Sequence, residues 1–318
     1  MSAKFPQLAA APPSTSNYQF AHFLTHPGDP ITRHIVEFPR LSAVVQDFLY
    51  RHTNERTRDD VALYLALIGA PGNGKSQGAK VAALKAGFSV ANVRMSDLAS
   101  EYENGAAQAL NAMLEEFQRW SAEHHRLIVV ILDDFELSTV AKSENVAVTA
   151  GRAVLLNRLQ ELNDNRHLTR QHGGANLPFI VTMNNNTDLL PSLFRVGRAI
   201  HHDHVPTAED KRNVAWAVLA PQTSEERHLV ALLARRFAGS QPVAFWKALR
   251  GEMEAAYIRF LMAKGMTRAD AQAKANSERM PLIPRLAWAC ARRLRVNRVR
   301  NYHTKRGFLS RVFRRPQS

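Results

Sequence analysis

The clearest chemistry in the chain lies in eight consecutive residues, Gly69-Ala70-Pro71-Gly72-Asn73-Gly74-Lys75-Ser76. They complete the spacing G-x-x-x-x-G-K-S, a cradle for phosphates. Glycines allow a tight loop whose backbone N–H groups converge on phosphate oxygens, and a following helix turns its positive end to the same oxygens. Lys75 reaches the outer phosphates, and the Ser76 hydroxyl is a ligand for Mg²⁺. Gly69, Pro71, Gly72, Asn73, Gly74, Lys75 and Ser76 are therefore the expected nucleotide-binding residues, with ATP and Mg²⁺ as the ligands.

A second group follows the apolar run Leu127–Leu132, which ends in Asp133-Asp134-Phe135-Glu136. A buried strand that ends in acids delivers carboxylates to the C-terminal edge of a sheet, where α/β proteins bind ligands. Asp133 is expected to hold Mg²⁺ through its water shell. Asp134 is expected to orient an attacking water. Asp is one methylene shorter than Glu, so slow hydrolysis, or a nucleotide-gated scaffold that scarcely turns over, is an open alternative.

These groups need elements to position them. Val61–Ile68 reads as a buried strand before the glycine loop, and Lys75 onward as a helix. Strand patterns recur at Phe88–Val93, Leu127–Leu132 and Pro178–Met183, and helical spacing at Leu41–Tyr50, Ala106–His124 and Ala150–Leu162. Alternation of this kind predicts an α/β fold with a parallel sheet sandwiched by helices. Beyond Thr207 strand signals stop, and Glu225–Phe237 and Val243–Lys264 have helical spacing. The expected organisation is a mostly disordered N-terminal arm (1–38), a nucleotide-binding α/β domain (39–207), a smaller all-helical lid (208–301) and a basic C-terminal tail (302–318).

Composition sets limits. With 318 residues and 45% hydrophobic content the chain can bury a substantial core. One cysteine, Cys290, excludes an internal disulfide framework. No apolar run is long enough for a membrane-spanning helix, and the first residues lack the layout of a signal peptide. A cytoplasmic protein is the expectation. The formal net charge is +14, and Arg285–Ser318 alone contributes +11, which leaves +3 for the rest. A basic tail of this kind meets an anionic partner or is a solvated end.

Residues 179–198, Phe-Ile-Val-Thr-Met-Asn-Asn-Asn-Thr-Asp-Leu-Leu-Pro-Ser-Leu-Phe-Arg-Val-Gly-Arg, resemble a segment of AAA ATPases in which a strand ends in Thr-x-Asn and a later helix ends in Arg-x-Gly-Arg. The resemblance implies an ATPase with a helical lid that assembles as a homo-oligomeric ring, a hexamer by analogy. It implies that Asn184 is a polar sensor near the γ-phosphate. It implies that Arg195 and Arg198 are fingers reaching into a neighbouring subunit's site. Within that class the chain resembles the Rubisco activase group from about Gly69 to Arg300. Pro242-Val243-Ala244-Phe245-Trp246-Lys247-Ala248-Leu249-Arg250 is similar to a stretch of that group's lid, which makes Arg250 a candidate nucleotide-sensing residue. The family's second arginine is Glu252 here, and no activase-like N-terminal domain precedes the first strand.

Tyr102, in Ser100–Gly105, falls where the family carries its pore loop, and it either grips a threaded chain or packs at a helix start. His202 and His204 alternate on one face of an extended segment but lack further ligands nearby, so a polar strand or loop is expected there. Phe308, Leu309, Val312 and Phe313 interleave with the tail's charges, which suits a docking helix that tolerates anions. The expected work is remodelling of an unidentified protein client. The rival is an ATPase recruited to nucleic acid by the tail.

Overall fold

Strands β2 (Tyr64–Ile68), β4 (Ile128–Asp133) and β5 (Phe179–Met183) are buried almost residue for residue rather than on alternate faces, as a parallel sheet covered on both sides requires. A computed structural model describes residues 22–25, 35–54, 60–94, 105–135, 146–164, 177–184, 195 and 197–296. In it these strands join β1 (His22–Leu24), β3 (Ser89–Arg94) and β6 (Ala199–Asp203) in one six-stranded sheet, ordered β1-β3-β4-β5-β2-β6. All pairs are parallel except β1–β3. The expected parallel sheet thus gains one antiparallel edge strand, from a segment read as an arm. Phe23 of β1 is buried and stacks on Trp120 at 4.5 Å, which explains why so short a strand stays docked.

Helices α1 (Pro39–Thr53), α2 (Lys75–Lys85), α3 (Gly105–His124) and α4 (Val146–Asp164) complete this part. Proline opens α1, where its fixed φ and missing N–H cost least. Leu41, Val45, Phe48 and Leu49 form the buried stripe of α1. Against it α2 presents Gly78, where a Cβ would sit 2.6 Å from Leu41 Cδ2 and 2.9 Å from Phe38 Cδ2. The missing side chain lets α1 lie directly on the helix that follows the glycine loop. Beneath the sheet, Phe117, Trp120, Met113 and Leu159 pack on β4 and β5 residues in one apolar cluster.

The chain divides into two compact units, Met1–Asp210 and Lys211–Ser318. The second is all-helical among its described residues: most of α5 (Ala208–Leu219), then α6 (Ser224–Phe237), α7 (Ala244–Ala263), α8 (Arg268–Ser277) and α9 (Pro284–Val296). Phe237, Phe245, Trp246 and Trp288 form a chain of ring contacts tying α6, α7 and α9. Tyr257, Leu261 and Ala271 join α7 to α8. Tyr102 and the tail beyond residue 296 lie outside the described residues.

Glu226 is the polar hub of the helical unit. It closes a capping box with Thr223 at the start of α6. Its carboxylate also accepts from Gln222 N at 2.8 Å, Leu282 N at 3.0 Å and both Arg279 Nη atoms, at 3.2 and 2.6 Å. Burial works to raise its pKa. The Arg279 contact and the backbone N–H groups outweigh burial and hold it at about 2, below the ordinary 4.5. A depressed carboxylate stabilises the fold above its unfolded pKa and loses that contribution as pH falls toward the folded one. Glu226→Gln should therefore destabilise the chain by about 1–3 kcal/mol at neutral pH. The difference from wild type should shrink between pH 4.5 and about 2, read by thermal melts across that range. Parallel melting curves would contradict the assignment.

Candidate functional site

At the C-terminal end of β2 the chain turns into Gly69–Gly74 and straight into α2. Gly72 and Gly74 adopt left-handed φ of 73° and 86°, a backbone that favours glycine. Gly69 passes so close to the next strand that a Cβ would lie 2.4 Å from the His204 carbonyl oxygen. The expected loop is thus built on glycines that the geometry requires.

Lys75 opens α2 and is buried. Its Nζ donates to Gly69 O at 2.8 Å, to Ala70 O at 3.2 Å and to Asn184 Oδ1 at 2.9 Å. The lysine head is held over the loop it serves, and Asn184, at the end of β5, is brought against it. Ser76 Oγ donates to Asp133 Oδ1, and Thr182 Oγ1 donates to the same oxygen at 2.6 Å. Lys75, Ser76, Asp133 and Asn184 therefore meet at one edge of the sheet. A hydroxyl and a carboxylate oxygen on one spot are hard donors that suit Mg²⁺. Among the described residues no group of three acidic, His or Cys side chains could hold a metal. Mg²⁺ is ordinarily held by few protein ligands, with substrate phosphates and water supplying the rest. When bound, it would neutralise charge on the phosphates.

Asp134 follows at φ 55°, a left-handed backbone rare for a residue with a side chain. Its N–H donates to Thr182 Oγ1 at 3.3 Å, and the next amide, of Phe135, donates to Thr182 O at 3.0 Å. The turn leaves Asp134 exposed just past Asp133. Strain of this kind is tolerated where a side chain must be aimed.

Arg195 and Arg198 stand elsewhere. Arg198 O accepts from Tyr64 N at 3.3 Å, which puts this segment where β2 and β6 begin. The glycine loop leaves the other end of the same strands, about five residues and therefore roughly 15 Å away. The two arginines also differ from each other. Arg198 is tied to Asp164 at the end of α4 in its own chain, with its side chain 12% exposed. Arg195 is exposed. Arg250, in the helical unit, pairs with Glu254 at 2.9 Å and donates to Val218 O at 2.6 Å.

Sequence reasoning missed two residues. Thr182 donates to the Asp133 carboxylate and accepts from the Asp134 backbone N–H. His204, buried at the end of β6, places Nε2 3.0 Å from Asn73 O inside the loop and takes Phe38 edge-on at 5.2 Å. His204 faces the loop, and its ring centroid lies 6.4 Å from that of His202.

Residues 65–207 match the family model of the ATPase family associated with various cellular activities (AAA). The α/β unit carries an AAA ATPase domain. No curated protein matches the chain. The matched segment runs from β2 to the residues just past His204, so the AAA domain contains every group described at the sheet edge.

Two outcomes follow from the AAA geometry. Thr182→Val keeps the shape of a fully buried side chain but removes the hydroxyl's contacts with Asp133, the Asp134 amide and Ser76. It should lower Mg²⁺-dependent turnover roughly tenfold, about 1.4 kcal/mol, while nucleotide binding without Mg²⁺ stays near wild type. Unchanged turnover in steady-state assays would remove Thr182 from the site. The His204 pKa is lowered, first by burial and then by the His202 and Lys75 charges, against the Asn73 contact and Asp210. A folded His with a depressed pKa resists protonation. Its neutral-pH stability is therefore eroded as pH falls below the unfolded value of about 6.5. His204→Gln should melt with a flatter pH profile between pH 7.5 and 5.5 than wild type, and should weaken ATP affinity a few-fold. An identical profile would count against this placement.

Proposed function

We propose that the chain is an ATP-hydrolysing motor subunit of a cytoplasmic homo-oligomeric ring, a hexamer by its resemblance to AAA proteins. In this reading Lys75 and the loop amides bind the phosphates. Ser76 and Asp133 hold Mg²⁺, Asp134 orients the attacking water, and Asn184 senses the terminal phosphate beside Lys75. Arg195 completes the site of the adjacent subunit. ATP turnover moves the subunits and remodels a protein client. The resemblance to the activase group suggests that manner of work and does not name the client.

The observation that carries the reading is the separation of the arginines from their own phosphate loop by the full length of β6. An arginine there neutralises transferred charge only at a site presented by another subunit, which makes catalysis depend on assembly. Exposed Arg195 suits that part, and Arg198, tied to Asp164, suits holding the segment in place.

A mixing experiment tests this. Asp134→Asn tolerates the left-handed backbone yet lacks the carboxylate, so it should bind ATP and lose turnover by about 100-fold or more. Arg195→Ala should do the same by losing charge stabilisation. Each alone is inactive, but a mixture forms interfaces with an intact acid on one side and an intact arginine on the other. Phosphate release from the mixture should recover well above the sum of the two. Recovery that never exceeds that sum, with both variants assembled by light scattering, would exclude a shared site.

A further inference from the structure

The basic charge is segregated by unit rather than confined to the tail. Met1–Asp210 carries a formal net charge of −3, and Lys211–Ser318 carries +17. Residues 211–296 alone hold 16 Lys or Arg against six Asp or Glu, and 12 of the 16 are arginine. Most of those acids are already engaged internally. Glu226 serves Arg279, Glu254 serves Arg250, Glu278 serves Lys274, and Asp270 caps α8 through Thr267. Beyond Arg250, Lys274, Arg279 and Arg293, the cations of this span have no ion-pair partner among the described residues.

Arginine is densest on α9, which contains Arg285, Arg292, Arg293 and Arg295 and no acid. Ala287, Cys290 and Ala291 turn inward and are buried, while the four arginines are exposed. Arg285 and Arg292, seven residues apart, share one side of the helix about 10 Å from each other. Arg293 and Arg295 flank that line. Of the four, only Arg293 has a carboxylate within reach among the described residues, Glu252 of α7 at 3.7 Å. The Cys290 thiol adds a spatial constraint. Its pKa is pushed up by burial and by Glu252, and Arg259 of α7 opposes this together with Arg293. Arg259 therefore lies near Cys290.

We infer that the outer face of α9, with Arg285, Arg292, Arg293 and Arg295 at its centre, is a docking surface for the phosphate backbone of duplex DNA. Charge density argues for a polyanion, because a duplex presents one negative charge per about 1.7 Å of axis and suits a unit of this net charge. Arginine forks match phosphate oxygens better than lysine does. Single strands are bound by stacking bases on exposed aromatic rings, and the only aromatic residue of α9, Trp288, sits against Phe237 instead of standing out. A lipid surface would want apolar residues among the charges, and between Arg285 and Arg292 the exposed position is Ala289. Phosphate contacts carry no sequence information, so binding through this face is expected to be insensitive to sequence. The inference concerns the helical unit and holds whether or not the ATPase site is shared between subunits.

The test uses the full chain, a fluorescein-labelled duplex of about 30 base pairs of arbitrary sequence, and anisotropy at two salt concentrations. Wild type should bind, with affinity falling steeply as salt rises. Arg285→Gln/Arg292→Gln/Arg295→Gln, which preserves helix-forming length at exposed positions, should weaken binding at least tenfold at the lower salt. It should also reduce the log–log salt slope by about 3, close to 0.9 per lost phosphate contact. ATP affinity and the far-ultraviolet dichroism of the variant should stay at wild-type values, which separates loss of the surface from loss of fold or of the ATPase site. Removal of residues 302–318 should leave measurable binding with the α9-dependent slope intact. Equal affinity and slope for wild type and the triple variant would overturn the proposal. So would loss of all binding on truncation alone, or binding to vesicles of anionic lipid, or to polyglutamate, in preference to the duplex.

Discussion

One carboxylate oxygen organises the nucleotide site. Asp133 Oδ1 accepts from Ser76, which begins α2, and from Thr182, which lies on β5. These residues are 57 and 49 positions from Asp133 in sequence. Their meeting fixes which strand must lie between which. β5 sits between β4 and β2, so the Thr182 hydroxyl stands between the acid and the glycine loop. A charge at a half-buried strand end is tolerable only when its lone pairs are occupied, and these hydroxyls occupy them. The strand order that satisfies the acid also sets β3 and β6 on opposite sides of β2–β5, and the reversal in order places the binding crevice at the end of β2.

Much of this was legible because it is written contiguously. The glycine loop is a local pattern, and its glycines are where the backbone takes positive φ at residues 72 and 74. β2, β4 and β5 were legible as apolar runs because strands buried on both faces admit little else. β1 was not, since three residues provide no periodicity and its place depends on Phe23 finding Trp120, 97 residues away. Thr182, His204 and Glu226 were hidden for a related reason. A threonine in a strand, a histidine after one and a glutamate in a first helical turn are ordinary residues in sequence. Their importance comes from partners that only the fold brings close. Asn184 was legible through resemblance alone, and in the fold its Oδ1 accepts from Lys75.

Read along the chain, the positive charge stands out near the C-terminus, where Arg285–Ser318 carries +11 and the residues before it carry +3. Dividing the sequence where the structure divides shows a slightly acidic α/β unit and a strongly basic helical one. The difference matters physically. α9 presents its charge on a helix whose inner face is already buried. Preorganised charge loses less on association.

β6 gives the α/β unit a mechanical continuity that its composition conceals. It is half-exposed and polar, Ala-Ile-His-His-Asp, and would be discounted as a loop on hydropathy. Yet it is paired with β2 residue for residue, from Tyr64–Ala199 to Ile68–Asp203. Its first residue follows Arg198 directly. Its end hands the chain to His204, whose N–H bonds Ile68 O at 2.7 Å and whose ring meets Asn73. A hydrogen-bonded strand is stiff along its axis, so the arginine segment and the phosphate loop are the two ends of one rod. In the proposed ring, where each arginine would address a neighbour's nucleotide, a shift of the arginine segment would reach the subunit's own loop through His204 and the close approach at Gly69. The requirement for glycine at 69 follows from the same contact, because any side chain there would hold the rod away from the loop.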